Sequence, residues 1–463
     1  MSPPLTPRFT ESLRAALGSA NVLTDPADCW AYGYDNSRLH ALPEAVALAS
    51  SHAQVAAVVR ACNAERVPLV ARGRGTGTTG ATVPVRGGVV LSLERMNRLV
   101  AVDPLDRIAR VEPGVTNQAL QEAAAAHGFF WAPDPTSAAV CTVGGNLACN
   151  AAGPRAVKYG TARENTLGLR AVTGAGEEIR TGTMTTKGVV GYDFTRLLIG
   201  SEGTLAVVTE ATLRLTPLPE ARRTLQATYR DVRAAARAVS AIMAQPITPA
   251  ALEFMDRSAI AMIRDYSDLG LGPEVGALLM IEVDGPAQGL DHAADAIARA
   301  AGVAGLLELT RAATAEETER LWRTRRALSP ALRNVAPKKI NEDVVVPVSR
   351  IPDLVEGLEA LAREHAIRIV NFGHAGNGNI HVNLLVDPAD AAAMARAADC
   401  LDATFDLVLR LGGTLSGEHG VGLAKRDFVG REIDPVTLRL MRDVKRQFDP
   451  NGILNPDKSL PPA

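Results

Sequence analysis

The chain has five cysteines, Cys29, Cys62, Cys141, Cys149 and Cys400, and no CxxC pair among them. An odd number with no paired spacing argues against a zinc–thiolate site and a disulfide framework, and suits small buried side chains in a reducing compartment. Charge of one sign is also lacking. The 49 basic and 51 acidic residues leave a net charge of −2, and no Lys/Arg run is interleaved with aromatics, which argues against nucleic acid as a partner. Nowhere does an apolar run reach the roughly 18 residues of a membrane span. Residues 1–20 carry Arg8, Arg14 and Glu11 with no apolar h-region, so neither a signal peptide nor a transmembrane segment is expected there. The expected location is cytoplasmic, or peripheral at the inner membrane face.

What is present is ample apolar content, 47 %, spread over 463 residues. That length is too great for one core and predicts two or three domains. Residues 51–65 read as a helix opened by Ser51 and Gln54, burying Val55, Val58, Val59 and Cys62 on one stripe. Strands are predicted at 67–71, 89–93 and 108–112, and a helix runs from Thr116 to a stop at Gly128. Residues 167–172 and 178–181 form a hairpin about Gly174-Ala175-Gly176, and 204–215 is rich in β-branched residues. The mixture lacks strict alternation, so the fold class is α+β. Thr216-Pro217-Leu218-Pro219 reads as a linker. Beyond it, strand 225–229, a helix from Asp231, strands 251–254 and 277–283 and a helix from Gln288 resemble a second series. That series is strand 344–347, a helix from Ile351, strands 367–372 and 380–386, and a helix from Pro388. Two such β-α-β-β-α units would pair into one antiparallel sheet with helices on one face.

Arg72-Gly73-Arg74-Gly75-Thr76-Gly77-Thr78-Thr79-Gly80 contains GxGxxG directly after a strand. A doubly wound dinucleotide site needs that loop to open a helix, with an acidic residue about twenty positions on. Here it runs into Ala81-Thr82-Val83-Pro84, which is no amphipathic helix, so that reading fails. A glycine nest of backbone N–H groups remains, with three threonine hydroxyls and the charges of Arg72 and Arg74, and a diphosphate fits it. Pro135-Thr136-Ser137-Ala138 leading into Gly144-Gly145-Asn146, Asn150-Ala151-Ala152-Gly153, and Gly200-Ser201-Glu202-Gly203-Thr204 are likewise poor in bulk. Each lets a planar cofactor approach the main chain, although each alone is an ordinary turn.

The most informative segment is His374-Ala375-Gly376-Asn377-Gly378-Asn379-Ile380-His381, echoed by Ser416-Gly417-Glu418-His419-Gly420. Glycines and asparagines forbid a helix between the two histidines, so the pair must flank a tight turn entering a strand. Two neutral imidazoles and one carboxylate suit a divalent Zn or Mn ion with open positions, and a further His beside the Glu is a titratable base. The bland alternative is a set of loop histidines making ordinary hydrogen bonds.

Together these segments resemble the flavin-dependent 2-hydroxy-acid dehydrogenases, the family of D-lactate dehydrogenase (cytochrome type), the glycolate oxidase catalytic subunit and D-2-hydroxyglutarate dehydrogenase, within the vanillyl-alcohol-oxidase-like flavoproteins. The resemblance spans nearly the whole chain, from Tyr34-Asp35 and Pro43-Glu44-Ala45-Val46 to Phe448-Asp449-Pro450-Asn451-Gly452-Ile453-Leu454-Asn455-Pro456. It implies a two-subdomain FAD-binding domain over residues 1–219, a cap and substrate domain with the metal site over 220–419, and a helical segment, 420–463, returning to the FAD domain. It implies FAD contacts from Arg72 through Gly80 and from Pro135, Thr136, Ser137, Gly144, Gly145, Asn150, Gly153, Gly203, Val207 and Asn455. By the same resemblance His374, His381 and Glu418 hold the metal, and His419 takes the hydroxyl proton while hydride passes to the flavin. Arg325 binds the substrate carboxylate, Ser329 sits where relatives carry a hydroxyl, and Asn383, on the same strand face as His381, hydrogen-bonds the carboxylate.

The implied substrate is a small D-2-hydroxy acid, with D-lactate or glycolate favoured. Asn341 stands where the hydroxyglutarate enzymes place a Lys, which weighs against a dicarboxylate. No His lies between His52 and His127, so the FAD is expected to be noncovalent. With no internal iron–sulfur or haem motif, electrons must leave for an external acceptor, a quinone, cytochrome c or an electron-transfer flavoprotein. A homodimer is the default oligomeric expectation. Rival readings are a transferase of the alkyl-dihydroxyacetonephosphate synthase kind, a noncatalytic flavin subunit and a flavin-free metallohydrolase. The first would not need the His374/His381/Glu418 set, and the last would leave the glycine loops without purpose.

Overall fold

The computed structural model describes residues 5–264 and 271–462. They divide into two compact units. One comprises residues 1–153, 160–218 and 418–463, and the other Pro154–Tyr159 with Pro219–Gly417.

The first unit contains two larger sheets and a two-stranded pair, Phe129–Phe130 with Thr216–Pro217, so the expected linker begins as a strand of this unit. Val22–Leu23, Ala45–Leu48, Val89–Ser92 and Leu69–Arg72 lie side by side in that order, the last three parallel. Their apolar residues pack against helices Pro7–Leu17 and His52–Glu65. The expected stripe Val55, Val58, Val59 and Cys62 is buried. Ser51 caps the Gln54 amide as predicted, but Gln54 reaches back to the Ser50 amide at 2.8 Å, one residue earlier than the capping-box pattern. The second sheet is antiparallel, in the order Leu99–Asp103, Ile108–Val111, Ala206–Arg214, Thr166–Thr173, Glu178–Gly182. The predicted hairpin about Gly174 to Gly176 is its last pair. No helix follows the glycine loop, so the rejection of a doubly wound site stands.

The C-terminal segment is stitched into this unit by polar groups. The Asn455 amide donates to the Leu69 carbonyl at 2.7 Å, and Leu454 bridges Leu69. Buried Glu202 accepts from the Val421 and Gly422 amides.

The second unit is built on one antiparallel seven-stranded sheet, ordered Leu306–Arg311, Ala221–Tyr229, Ala277–Gly285, Ala251–Asp256, Arg368–His374, Asn379–Val386, Lys338–Val345. The internal repeat is visible in that order. In each half the third strand of the unit lies between the first and the second, and the halves meet where Ala251–Asp256 pairs with Arg368–His374. Helices Val232–Ala244, Leu290–Ala301, Ile351–Glu364 and Ala391–Arg410 cover the sheet as expected. Two helices outside the repeat, Arg257–Arg264 and Ala315–Val335, join Met255, Met280, Val370, Phe372 and Leu385 in a further core on the opposite face. Among the described residues no helix is long and apolar enough to cross a membrane.

Candidate active site

Strand alternation in the second unit places a row of polar side chains on the face that also carries Met255, Met280 and Phe372. The predicted turn is there: strand Arg368–His374, a short helical turn Ala375–Asn377, then strand Asn379–Val386. Gly378 makes it with φ of 74°. His381 stands opposite Phe372 and His374 opposite Asn379, so the two histidines are diagonal neighbours on one face. Their rings are 5.2 Å apart, centroid to centroid, at 85°, and both residues are buried.

Glu253 was not singled out from the sequence, and it stands directly opposite His374 in the register. Its Oε1 lies 2.5 Å from His374 Nδ1, and its Oε2 accepts from Arg325 Nε at 2.7 Å. Glu253 is fully buried. Burial works against its charge, but the His374 ring and the Arg325 guanidinium outweigh it and hold the carboxyl down at about 2. The available signal was a lone charge within Ala251-Leu252-Glu253-Phe254-Met255. Arg325, expected to bind the substrate carboxylate, lies with its guanidinium carbon 4.9 Å from the Phe372 ring centroid. Only Nε is committed to Glu253, so the terminal nitrogens keep the geometry for a bidentate acceptor. Ser329 lies on the helix Ala315–Val335, and its side chain falls outside the described residues.

Asn383 shares the His381 face and is fully buried, but its carboxylate-donating role needs correction. Its Nδ2 already donates to the Val370 and His381 carbonyls, each at 3.1 Å. Flipping the amide would set Oδ1 against two carbonyls, so the group it presents is the acceptor Oδ1, which has no partner among the described residues. An acceptor suits a hydroxyl rather than a carboxylate.

Asp343, also missed, stands opposite His381. Its Oδ2 accepts from the Gly417 amide at 2.9 Å and its Oδ1 from the Ser416 hydroxyl at 3.3 Å. The chain is therefore held at Gly417 by the neighbour of a histidine strand, and Glu418 is the next residue. Within this unit the two imidazoles, one of them oriented through Nδ1 by a carboxylate, are donors whose chemistry suits a divalent ion.

In the first unit, Glu418 Oε2 accepts from the Gly153 amide at 3.0 Å, and His419 Nε2 is 3.9 Å from Glu418 Oε1. The Thr79 hydroxyl donates to the His419 carbonyl at 3.5 Å, and the Thr79 carbonyl accepts from the Leu423 and Ala424 amides. His419 is thus tied to the glycine loop that precedes it by more than three hundred residues.

The glycines of this unit fall into two groups. Gly75, Gly80, Gly153 and Gly203 have positive φ, and Gly144 is packed so tightly that a Cβ would lie 2.6 Å from Pro113. Gly77 and Gly145 are different. Neither has positive φ, and a Cβ there would meet nothing nearer than 3.9 and 3.4 Å respectively. The protein does not itself require glycine at either position, which is what a cradle for a bound group looks like. Thr78 Oγ1, buried and without a partner among the described residues, lies in the same loop. These features fit FAD.

The two arginines do not contribute as expected. Arg72 is buried and its guanidinium donates to the Tyr34 and Ala31 carbonyls and the Thr82 hydroxyl, bracing the loop. Arg74 pairs with Glu94 at 3.0 Å. Backbone amides and threonine hydroxyls are left as the donors. Asn150 and Asn455 are braces too. Asn150 Oδ1 accepts from Thr161 and Arg163, and Asn455 Nδ2 donates to the Ala81 and Glu202 carbonyls. Val207 is buried in the core. Pro135 and Ser137 offer turn carbonyls to the Ala138, Val140 and Cys141 amides, while Thr136 is exposed.

The chain matches the family model for FAD linked oxidases, C-terminal domain, over residues 218–459, and that for an FAD binding domain over 43–182. It belongs to the FAD-linked oxidases and is an FAD-linked oxidoreductase. Among its relatives, glycolate oxidase subunit GlcD of Bacillus subtilis is 37 % identical over 98 % of this chain and 97 % of its own. A D-lactate dehydrogenase of Anaerostipes hadrus is 34 % identical over 90 % of each. The fold is that of the vanillyl-alcohol-oxidase-like flavoproteins. Substrate-bound p-cresol methylhydroxylase superposes with a TM-score of 0.80 over 98 % of this chain and 96 % of its own, at 18 % identity.

Proposed function

We propose that this protein oxidises a small D-2-hydroxy acid, D-lactate or glycolate, to the corresponding 2-oxo acid and passes the electrons to an external acceptor, a quinone, cytochrome c or an electron-transfer flavoprotein. The observation that carries this reading is the buried polar face on which His374, His381 and Arg325 gather. The names of the two relatives support it. In this reading residues 1–219 hold noncovalent FAD, 220–419 form the substrate domain, and 420–463 return to the first. FAD supplies the hydride acceptor, and a Zn or Mn ion held by His374, His381 and Glu418 supplies a Lewis acid.

The residues divide the remaining work. Arg325 fixes the substrate carboxylate with its terminal nitrogens, and Asn383 Oδ1 accepts from a hydroxyl. His419 takes the hydroxyl proton, a task for which an imidazole is matched to neutral pH. Asn341 supplies no second cation, which favours a monocarboxylate over a dicarboxylate.

The test is the visible spectrum of the anaerobic protein before and after separate additions of glycolate, D-lactate, L-lactate and D-2-hydroxyglutarate. Bleaching by glycolate or D-lactate supports the reading. Bleaching by D-2-hydroxyglutarate alone moves the substrate to the dicarboxylate, and a flavin untouched by all four sinks the 2-hydroxy-acid assignment.

A further inference from the structure

Glu253 lies at the centre of the seven-stranded sheet, on the strand where the two halves of the repeat meet. An isolated carboxylate there would cost several kcal/mol in lost hydration, and a buried ion pair is often no more stabilising than apolar residues of the same volume. Its retention therefore asks for a reason beyond stability. Each of its oxygens has its own partner: Oε1 faces His374 Nδ1 at 2.5 Å, and Oε2 accepts from Arg325 Nε at 2.7 Å.

We propose that Glu253 is a positioning residue that couples the metal-binding histidine to the substrate-binding arginine, so that metal occupancy and carboxylate affinity depend on one another. This rests on the roles given to His374 and Arg325 above. Engaging Nδ1 selects the imidazole tautomer whose lone pair is on Nε2, the atom a metal would use. Engaging Nε, with the Phe372 ring beneath the guanidinium, fixes the plane of Arg325 and leaves its two terminal nitrogens for the substrate. Both orientations come from one rigid group. A displacement at either end must move the other, and linkage makes the effect reciprocal.

The experiment compares wild-type holoenzyme with Glu253→Gln and Glu253→Asp. A Gln can accept from one partner only, and Asp is one methylene too short to span both. FAD content and the unfolding midpoint establish that each variant folds. Zn2+ affinity is measured by chelator competition with and without propionate, a small monocarboxylate with no 2-hydroxyl to oxidise, and KM and kcat are measured with D-lactate and glycolate. The expectation for Glu253→Gln is Zn2+ affinity lowered about 10- to 100-fold, as for other residues that orient a metal ligand. KM should rise more than kcat falls, and the tightening of Zn2+ by propionate expected for wild type should vanish. A variant with weakened Zn2+ but wild-type KM and wild-type propionate coupling would make Glu253 a histidine partner only and overturn the proposal. So would wild-type values throughout in both variants. If wild type itself binds no Zn2+ and its flavin is not reduced, the roles of His374 and Arg325 fall first, and this proposal with them.

Discussion

Asp343 and His381 face each other across two paired strands, and the Asp343 carboxylate accepts from the Gly417 amide at 2.9 Å. The contact converts a position on a rigid sheet into a position for a loop, since Glu418 follows Gly417 directly. Replacing Asp343 by Ala removes the carboxylate that accepts from the Ser416 hydroxyl and the Gly417 amide in a fully buried place, leaving Gly417 only the main-chain carbonyl of residue 343 at 3.0 Å. The expected cost is about 1–3 kcal/mol of stability, with bound Zn2+ reduced in the folded fraction. Urea unfolding with metal analysis checks it, and undiminished Zn2+ at wild-type stability would show that the anchor is dispensable.

Two adjacent glycines give opposite expectations. Gly145→Val places a side chain where the protein has room, so the apoprotein should unfold within about 1 kcal/mol of wild type while FAD content drops at least roughly tenfold from lost cofactor contact. Gly144→Val drives a side chain into Pro113 and should destabilise the apoprotein itself. Flavin absorbance against thermal unfolding separates them. Equal FAD content in Gly145→Val and wild type would remove the cradle.

The fold was legible because its signals were local and strong. Ser51, Thr116 and Asp231 cap the helices they were expected to open, and the strand spacing of the repeat survives in the sheet order. The two histidines were legible because glycine and asparagine admit only a turn between them. What escaped was whatever depends on partners distant in sequence. Arg72 looks like a phosphate ligand from its loop, and only the fold shows Tyr34 and Ala31 taking its guanidinium. Glu253 and Asp343 are single acids inside apolar strands, and their meaning comes from cross-strand register. Pro154–Tyr159 gave no signal at all. It joins the second unit through Asp284, which accepts from Lys158 Nζ at 2.5 Å and from Tyr159 at 2.8 Å.

His419→Asn keeps a planar polar side chain but cannot take a proton at neutral pH. The His419 carbonyl, which meets Thr79, is main chain and is untouched. FAD content should therefore match wild type, while the rate of flavin reduction by substrate falls by about 10²–10⁴. Stopped-flow reduction under anaerobic conditions measures it. A near-normal rate would remove His419 from proton transfer.

Lys458 is buried, with Nζ 3.4 Å from Asn455 Oδ1 and from the Pro456 carbonyl. Burial pushes its ammonium down from 10.5 to about 8, against the pull of Asp457, Glu202 and Asp35. The folded chain thus releases this proton near pH 8, whereas the unfolded chain holds it to about 10.5. Below pH 8 both states are charged and the full penalty of burial applies. Between the two values the unfolded state binds more protons, so this group makes stability rise with pH, by about 3 kcal/mol across the whole window. In Lys458→Met that contribution is gone. Urea unfolding of the apoproteins at pH 7.5, 8.5 and 9.5 should give a rise with pH for wild type that is smaller or absent in the variant. Parallel curves would mean that the Lys458 ammonium is solvated in the fold and carries no burial penalty.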